Sequence, residues 1–438
     1  MTSVVDASPL AVIERKVQDE AKRISLELDN EAGESDLRRL IDAEIERWQD
    51  DHRRGRRPLP LAHPEQIAER TFRNIARHGP LTSLLNDDDV WEIMINSPTS
   101  IFVKRHSGPG GYHDEVFIDD DHVLRTMTRL LDQASTAHRK LDPSEGLQDA
   151  QLDSGARLHI VHGDIARGGH LMVNIRKFNG VSTIQTLDEL VERRTLDPAA
   201  ARFLSACVAA RRTIIFAGVP GSGKTTLMNC CAAELDPALR VVVAEEVFEA
   251  DLPLPNVASM QTRAARVDRA GIDLRRLVAG FLRMAPDIAI VGEVRDKEAL
   301  PLLLTLSSGV KGFTTIHAGS ARQALTRLRF ICQLSDTSSE IPLSALNTLV
   351  SEAIDVVVHT DRTANGPQVM SILAVEDLVG GADAVQFTAT DVFERKTDGR
   401  LAWTGQVPSR LAKAFERVGI DTAGLLSSTS ATSEARVG

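Results

Sequence analysis

Between Asp36 and Trp48 the apolar residues Leu37, Leu40, Ile41, Ile45 and Trp48 recur at spacings of three and four, which predicts a one-faced helix. The basic run Arg53-Arg54-Gly55-Arg56-Arg57-Pro58 ends it and reads as a solvated linker, so residues 1–60 are expected to form a helical N-terminal segment. From 61 to 185 the pattern is mixed. A helix from Pro64 to Arg77 precedes short β-like runs at Trp91–Asn96, Ile101–Arg105 and Glu115–Ile118, with a glycine-rich turn at 107–111. A helix from His122 to Leu131 and strands at Arg157–His162 and Leu171–Arg176 complete a small α/β domain. From 186 to 420 strand and helix alternate. Strands at Thr213–Ala217, Val241–Glu245, Ile288–Val291 and Gly312–Ile316 are separated by helices starting at Gly223, Leu274 and Lys297, and a helix Ala321–Leu334 follows. That rhythm predicts an α/β domain with a parallel-rich sheet, and further β-like runs lie at Ile354–His359 and Val369–Val375. Residues 421–438, small and polar towards the end, are expected to be a disordered tail.

Composition narrows the function classes. The 438 residues are 42% hydrophobic and 26% charged, as in globular proteins of several domains. Aromatics make up 4%, with Tyr112 the single tyrosine, too few for a base-stacking platform. The net charge of −10 leans away from a phosphate-backbone surface, so no nucleic-acid partner is expected. Cys207, Cys230, Cys231 and Cys332 form no CxxC pair and read as reduced thiols. His159 and His162, three apart on a strand, point to opposite faces and make no metal site. Without a signal-like start or a run of eighteen apolar residues, a cytoplasmic protein is expected, reaching a membrane only through a partner.

The chemistry centres on Gly218-Val219-Pro220-Gly221-Ser222-Gly223-Lys224-Thr225-Thr226, which satisfies GxxxxGK[ST] between a strand and a helix. Glycines there let backbone amides turn inward as an anion nest, Lys224 reaches the β- and γ-phosphates of ATP, and the Thr225 hydroxyl ligates Mg²⁺. Further on, the apolar strand Pro286-Asp-Ile-Ala-Ile-Val-Gly delivers Glu293, a carboxylate able to orient an attacking water. Gly292 holds the place of the usual magnesium aspartate, so a second acid is needed. Glu245-Glu246, with Glu249 beyond, supplies one, and Glu246 is the candidate for metal or water. His317, at the end of a strand, can hydrogen-bond a γ-phosphate.

The order phosphate loop, acidic box (Ala244-Glu-Glu-Val-Phe-Glu249), Gly292-Glu-Val-Arg-Asp296 and Thr315-Ile-His-Ala318 resembles the type II/IV secretion-system ATPase superfamily, most of all its Tad/Cpa-type pilus-assembly branch. The likeness runs from about Leu81 to Leu378 and includes Val90–Asn96, Asp149–Ile160 and Val173–Phe178. It implies a small PAS-like α/β domain before a RecA-like ATPase domain, and a homohexamer working on an inner-membrane platform protein at the inner face of the cytoplasmic membrane. It also implies that His317 senses the γ-phosphate. Arg157 and Arg176 would close on the phosphates across a hinge at Asn179–Thr183. Three departures stand out: Glu246 in place of aspartate, Val310 in place of the family's first histidine, and Gly319 where asparagine is common. The rival readings are a RecA-like nucleic-acid or conjugative-transfer motor, and a scaffold that binds ATP without turnover.

Overall fold

Three helices open the chain: α1 (Pro9–Arg23), α2 (Glu31–Arg53) and α3 (Pro64–Ala76). The computed structural model describes residues 8–28, 30–106, 108–133, 141–177, 184–263, 270–334, 341–376 and 387–427. The chain divides into two units, residues 1–180 and 181–438.

Ser8 and Asn30 cap α1 and α2 by accepting from the backbone N–H of Ala11 and Gly33. Ile13, Val17, Leu37, Ile41 and Trp48 then pack with Leu61, Phe72 and Ile75, so α3, expected with the α/β domain, belongs to the helical core. The basic run after α2 is exposed at Arg53, Arg54 and Arg56, as a solvated connection would be, but it is tied down locally. Arg57 stacks 3.6 Å from the Trp48 ring centroid, Trp48 Nε1 donates to the Leu59 carbonyl at 3.2 Å, and Arg56 pairs with Asp51 at 3.5 Å. These contacts fold the segment back onto α2.

After α4 (Leu81–Asn86) come β1 (Val90–Ser97), β2 (Ser100–Arg105), β3 (Gly111–Tyr112), α5 (Asp120–Asp132), β4 (Leu147–Gln151), β5 (Arg157–Val161) and β6 (Met172–Arg176). Their antiparallel sheet has the order β3-β2-β1-β6-β5-β4. Strand alternation sends Ile93, Ile95, Ile160, Val173 and Ile175 into one core with Val123, Met127 and Leu131 of α5. Glu92, Lys104, Arg157 and Arg176 line up across the opposite, polar face. The expected strand at Glu115–Ile118 is absent. Phe117 is buried there and its N–H donates to the Pro98 carbonyl, while Gly111–Tyr112 takes the place beside β2.

The second unit opens with α6 (Leu187–Glu192) and α7 (Pro198–Ala209), then β7 (Ile214–Gly218), α8 (Lys224–Ala233), β8 (Val241–Glu245), β9 (Val257–Gln261) and α9 (Leu274–Ala279). Next come β10 (Ile288–Val294), α10 (Ala299–Ser307), β11 (Lys311–Ile316), α11 (Ala321–Leu334), α12 (Leu343–Ala353), β12 (Val356–Thr363) and β13 (Gly366–Val375). The described chain closes with β14 (Ala389–Arg395), β15 (Leu401–Trp403), α13 (Ser409–Arg417) and α14 (Thr422–Ser427). The sheet order is β15-β14-β13-β12-β7-β11-β10-β8-β9. Strands β12 through β9 run parallel, and β13 to β15 extend the sheet antiparallel. Two apolar cores cover its faces. At the base, the wholly buried Asp355 accepts from the Thr213 N–H at 2.8 Å and pairs with Arg410 at 2.9 Å, tying α13 to the sheet. Helix α14 falls within the expected disordered tail and buries Leu426. Residues 428–438 and the hinge candidate Asn179–Thr183 lie outside the described residues.

Candidate nucleotide site

Parallel strands end on one edge, and that edge carries the chemistry. β7 is buried along its whole length and breaks at Gly218, where a Cβ would lie 2.2 Å from the Thr360 carbonyl oxygen. Gly223 closes the loop at φ +85°, a left-handed conformation that favours glycine, and α8 starts at the next residue. No side chain caps α8 at its N-terminus, the end of a helix that favours an anion. Lys224 is only 7% exposed. Its Nζ donates to the Val219 carbonyl at 3.0 Å and lies 3.3 Å from His317 Nδ1.

His317, just past β11, joins the loop to the acid of β10. Its Nδ1 stands 3.2 Å from the Gly218 carbonyl as well as near Lys224, so a neutral ring accepts from the ammonium and a protonated ring donates to the carbonyl. Its Nε2 lies 2.8 Å from Glu293 Oε1. Burial pushes the Glu293 carboxyl up, but the His317 hydrogen bond and the charges of His317, Arg295 and Lys224 outweigh it and hold the group below the usual glutamate value. Arg295 reaches Glu293 Oε2 at 3.7 Å and pairs with Glu246. The structure thus gathers Lys224, His317, Glu293, Arg295 and Glu246 into one network, with Thr225 beside Lys224 on α8.

Glu245 serves its own loop. Its buried Oε1 accepts from the N–H groups of Glu249 and Ala250 at 3.0 and 2.9 Å. A Cβ on Gly292 would meet Glu245 Cγ at 2.9 Å, which gives a physical reason for glycine where an aspartate is usual. Gly292→Ala is therefore expected to destabilise the fold by about 1–3 kcal/mol. Gly292→Asp should cost more, by setting a second carboxylate against Glu245. Thermal or urea unfolding measures both, and unchanged stability in either variant would contradict this packing.

Arg157 and Arg176 lie in the first unit, directly opposite each other across β5 and β6. Arg176 Nη2 reaches Glu92 Oε1 at 3.3 Å. That buried carboxylate also takes Asn174 Nδ2 at 2.8 Å and Lys104 Nζ at 3.1 Å. Arg295, Glu92, Thr360 and Arg362 were given no role by the sequence. Arg295, two residues from Glu293, carried a signal in that spacing; the others depend on strand neighbours that no spacing reveals. His159 is exposed and pairs with Asp149, whereas His162 is buried beyond the end of β5. Among the described residues no group of three or more His, Cys, Asp or Glu could hold a metal ion, and no helix is long and apolar enough to cross a membrane.

A family model described as "Type II/IV secretion system protein" matches residues 74–365. PtlH of Bordetella pertussis, named a type IV secretion system protein, is 32% identical over 328 residues, covering 69% of this chain and 93% of its own. The conjugal transfer protein TrbB of Rhizobium radiobacter is 31% identical over 315 residues, covering 67% of this chain and 85% of its own. Among solved structures, that of the VirB11 ATPase from the Brucella suis type IV secretion system is similar at 26% identity over 67% of this chain and 94% of that chain, with a TM-score of 0.36. The chain belongs to the type II/IV secretion system protein family. Helices α1 and α2 and strands β13 to β15 lie outside the matched residues.

Proposed function

We propose that this chain is a Mg²⁺-dependent ATPase that works as a homohexameric motor of a Tad-like pilus or a related type II/IV secretion machine, docking on a platform protein of the cytoplasmic membrane. The observation that carries the reading is the meeting of Lys224, His317 and Glu293 beside the loop Gly218–Thr226. Loop amides and Lys224 would bind the phosphates, with the ammonium exchanging the Val219 carbonyl for phosphate oxygens. The donors present fit Mg²⁺: the Thr225 hydroxyl and the Glu246 carboxylate are hard oxygen donors that would hold it beside nucleotide and water. When bound, it would neutralise charge on the β- and γ-oxygens. Glu293, kept ionised, orients the attacking water. As the water oxygen bonds to the γ-phosphorus, the bond to the β–γ bridging oxygen breaks and the water's proton passes to Glu293 and on to solvent, giving ADP and phosphate. His317 would report the γ-phosphate, Glu246 would support metal or water after leaving Arg295, and Arg157 and Arg176 would supply positive charge.

Arg176→Ala is expected to lower turnover about 100-fold or more, as loss of a phosphate-facing arginine does. Melting should change little, because Glu92 keeps Asn174 and Lys104. Joint loss of melting temperature and activity would make Arg176 structural and leave the first unit as a docking module.

The name of TrbB favours a second reading, a motor of conjugative transfer. Phosphate release measured with and without DNA separates the two. A rate unchanged by DNA supports the protein-secretion reading, and salt-sensitive stimulation supports the other.

A further inference from the structure

The phosphate loop is gripped from its carbonyl side by the neighbouring strand. β12 runs parallel to β7 and pairs Thr360 with Gly218. Thr360 Oγ1 donates to the Ala217 carbonyl at 3.2 Å and lies 2.9 Å from Ser222 Oγ, so the Ser222 hydroxyl donates to Thr360. Both residues are 1% exposed. Two positions along the same side of β12, Arg362 Nη1 donates to the Gly221 carbonyl at 3.2 Å. Across the turn, Pro367 Cβ stands 3.1 Å from where a Cβ on Gly223 would be. The hairpin therefore touches Ala217, Gly218, Gly221, Ser222 and Gly223, through carbonyls, one hydroxyl and close packing. Amide dipoles converging on one point repel each other until an anion arrives, so an empty nest needs outside support to keep its shape.

We infer that the β12–β13 hairpin is a clasp that preorganises the phosphate loop before nucleotide binds, with Thr360 and Arg362 as positioning residues. The inference rests on the nucleotide reading above. A loop held in its binding shape for only a tenth of the time binds about tenfold more weakly, because apparent affinity scales with the competent fraction.

The test uses the full chain and ATP with Mg²⁺, reading dissociation constant, KM, kcat and melting temperature. Thr360→Val keeps the shape, removes the hydroxyl and strands the Ser222 donor; it is expected to raise the dissociation constant about tenfold. KM should rise with it, while kcat at saturating ATP changes less than threefold, roughly the fall left when binding restores the loop. Thr360→Ser restores affinity. Ser222→Ala weakens binding similarly, and the double variant is no worse than the weaker single one, since both remove the same hydrogen bond. Arg362→Ala, at a less buried position, raises the constant about threefold and carries the test should Thr360→Val fail to fold. Lys224→Ala in parallel separates the two ideas. If Lys224→Ala binds ATP like the wild type, the nucleotide reading itself fails. If Lys224→Ala loses binding while Arg362→Ala and a folded Thr360→Val bind normally, or the losses at 222 and 360 simply add, the clasp is overturned.

Discussion

Replacing Lys224 by alanine is expected to reduce ATP turnover about 1,000-fold and weaken ATP binding about 100-fold, as removal of a charge-stabilising donor from a phosphoryl-transfer site does. Lys224 is almost fully buried, and its ammonium stands between the Val219 carbonyl and His317. A cation held there answers the charge of a polyphosphate drawn into the amide nest, and a methyl group offers nothing in its place. The fold should tolerate the change, because Glu293 keeps its contact with His317 and the charge of Arg295. Calorimetric titration with ATP, phosphate release and thermal melting on one preparation check all three parts. Near-normal turnover in Lys224→Ala would make the glycine-rich loop decorative.

Glu293→Gln is expected to bind ATP with near wild-type affinity while turnover falls about 1,000-fold, within the range that general-base groups contribute. Glutamine keeps the size of the side chain and removes the charge that polarises water. The wild-type carboxyl is held below the usual glutamate value, so it stays ionised across neutral pH. Any loss of turnover between pH 7 and about 5.5 must then come from another group. The sign for stability follows from the same shift. A carboxyl whose folded value is depressed stabilises the protein above its unfolded value, and that contribution disappears as pH falls through the folded value. The stability gap between wild type and Glu293→Gln should therefore be constant near neutrality and close only in acid. Unfolding at pH 7 and pH 3.5 measures it. Normal turnover in Glu293→Gln would move the water-positioning role to Glu246.

The fold was legible where local pattern and tertiary role agree. β8 and α11 have the ends that the sequence indicates, since a wholly buried strand and an amphipathic helix announce themselves through hydrophobic runs and spacing. It was illegible where partners decide. Glu115–Ile118 has strand composition, yet Phe117 is anchored to Pro98 and the short pair Gly111–Tyr112 completes the sheet. β4, β9 and β15 are too short or too polar to signal themselves. The arginine run after α2 is solvated as its composition indicates, except that Arg57 stacks on Trp48, a partner that lies back along the helix and that no local pattern reveals. At the site, glycine spacing exposes the phosphate loop directly. The Thr360–Ser222 contact spans 138 residues and the Arg295–Glu246 pair 49, and only the strand order brings each together.

In the proposed mechanism Lys224, His317 and Glu293 form an ATP-hydrolysing centre at the edge of the parallel sheet. Phosphate release from ATP by the full chain, measured with Mg²⁺ and again with excess EDTA, decides whether they do. Steady release that stops with EDTA, and that Lys224→Ala and Glu293→Gln both lack, is the expected result. No release by the wild type with Mg²⁺ present, or release that persists in EDTA and in both variants, would contradict it.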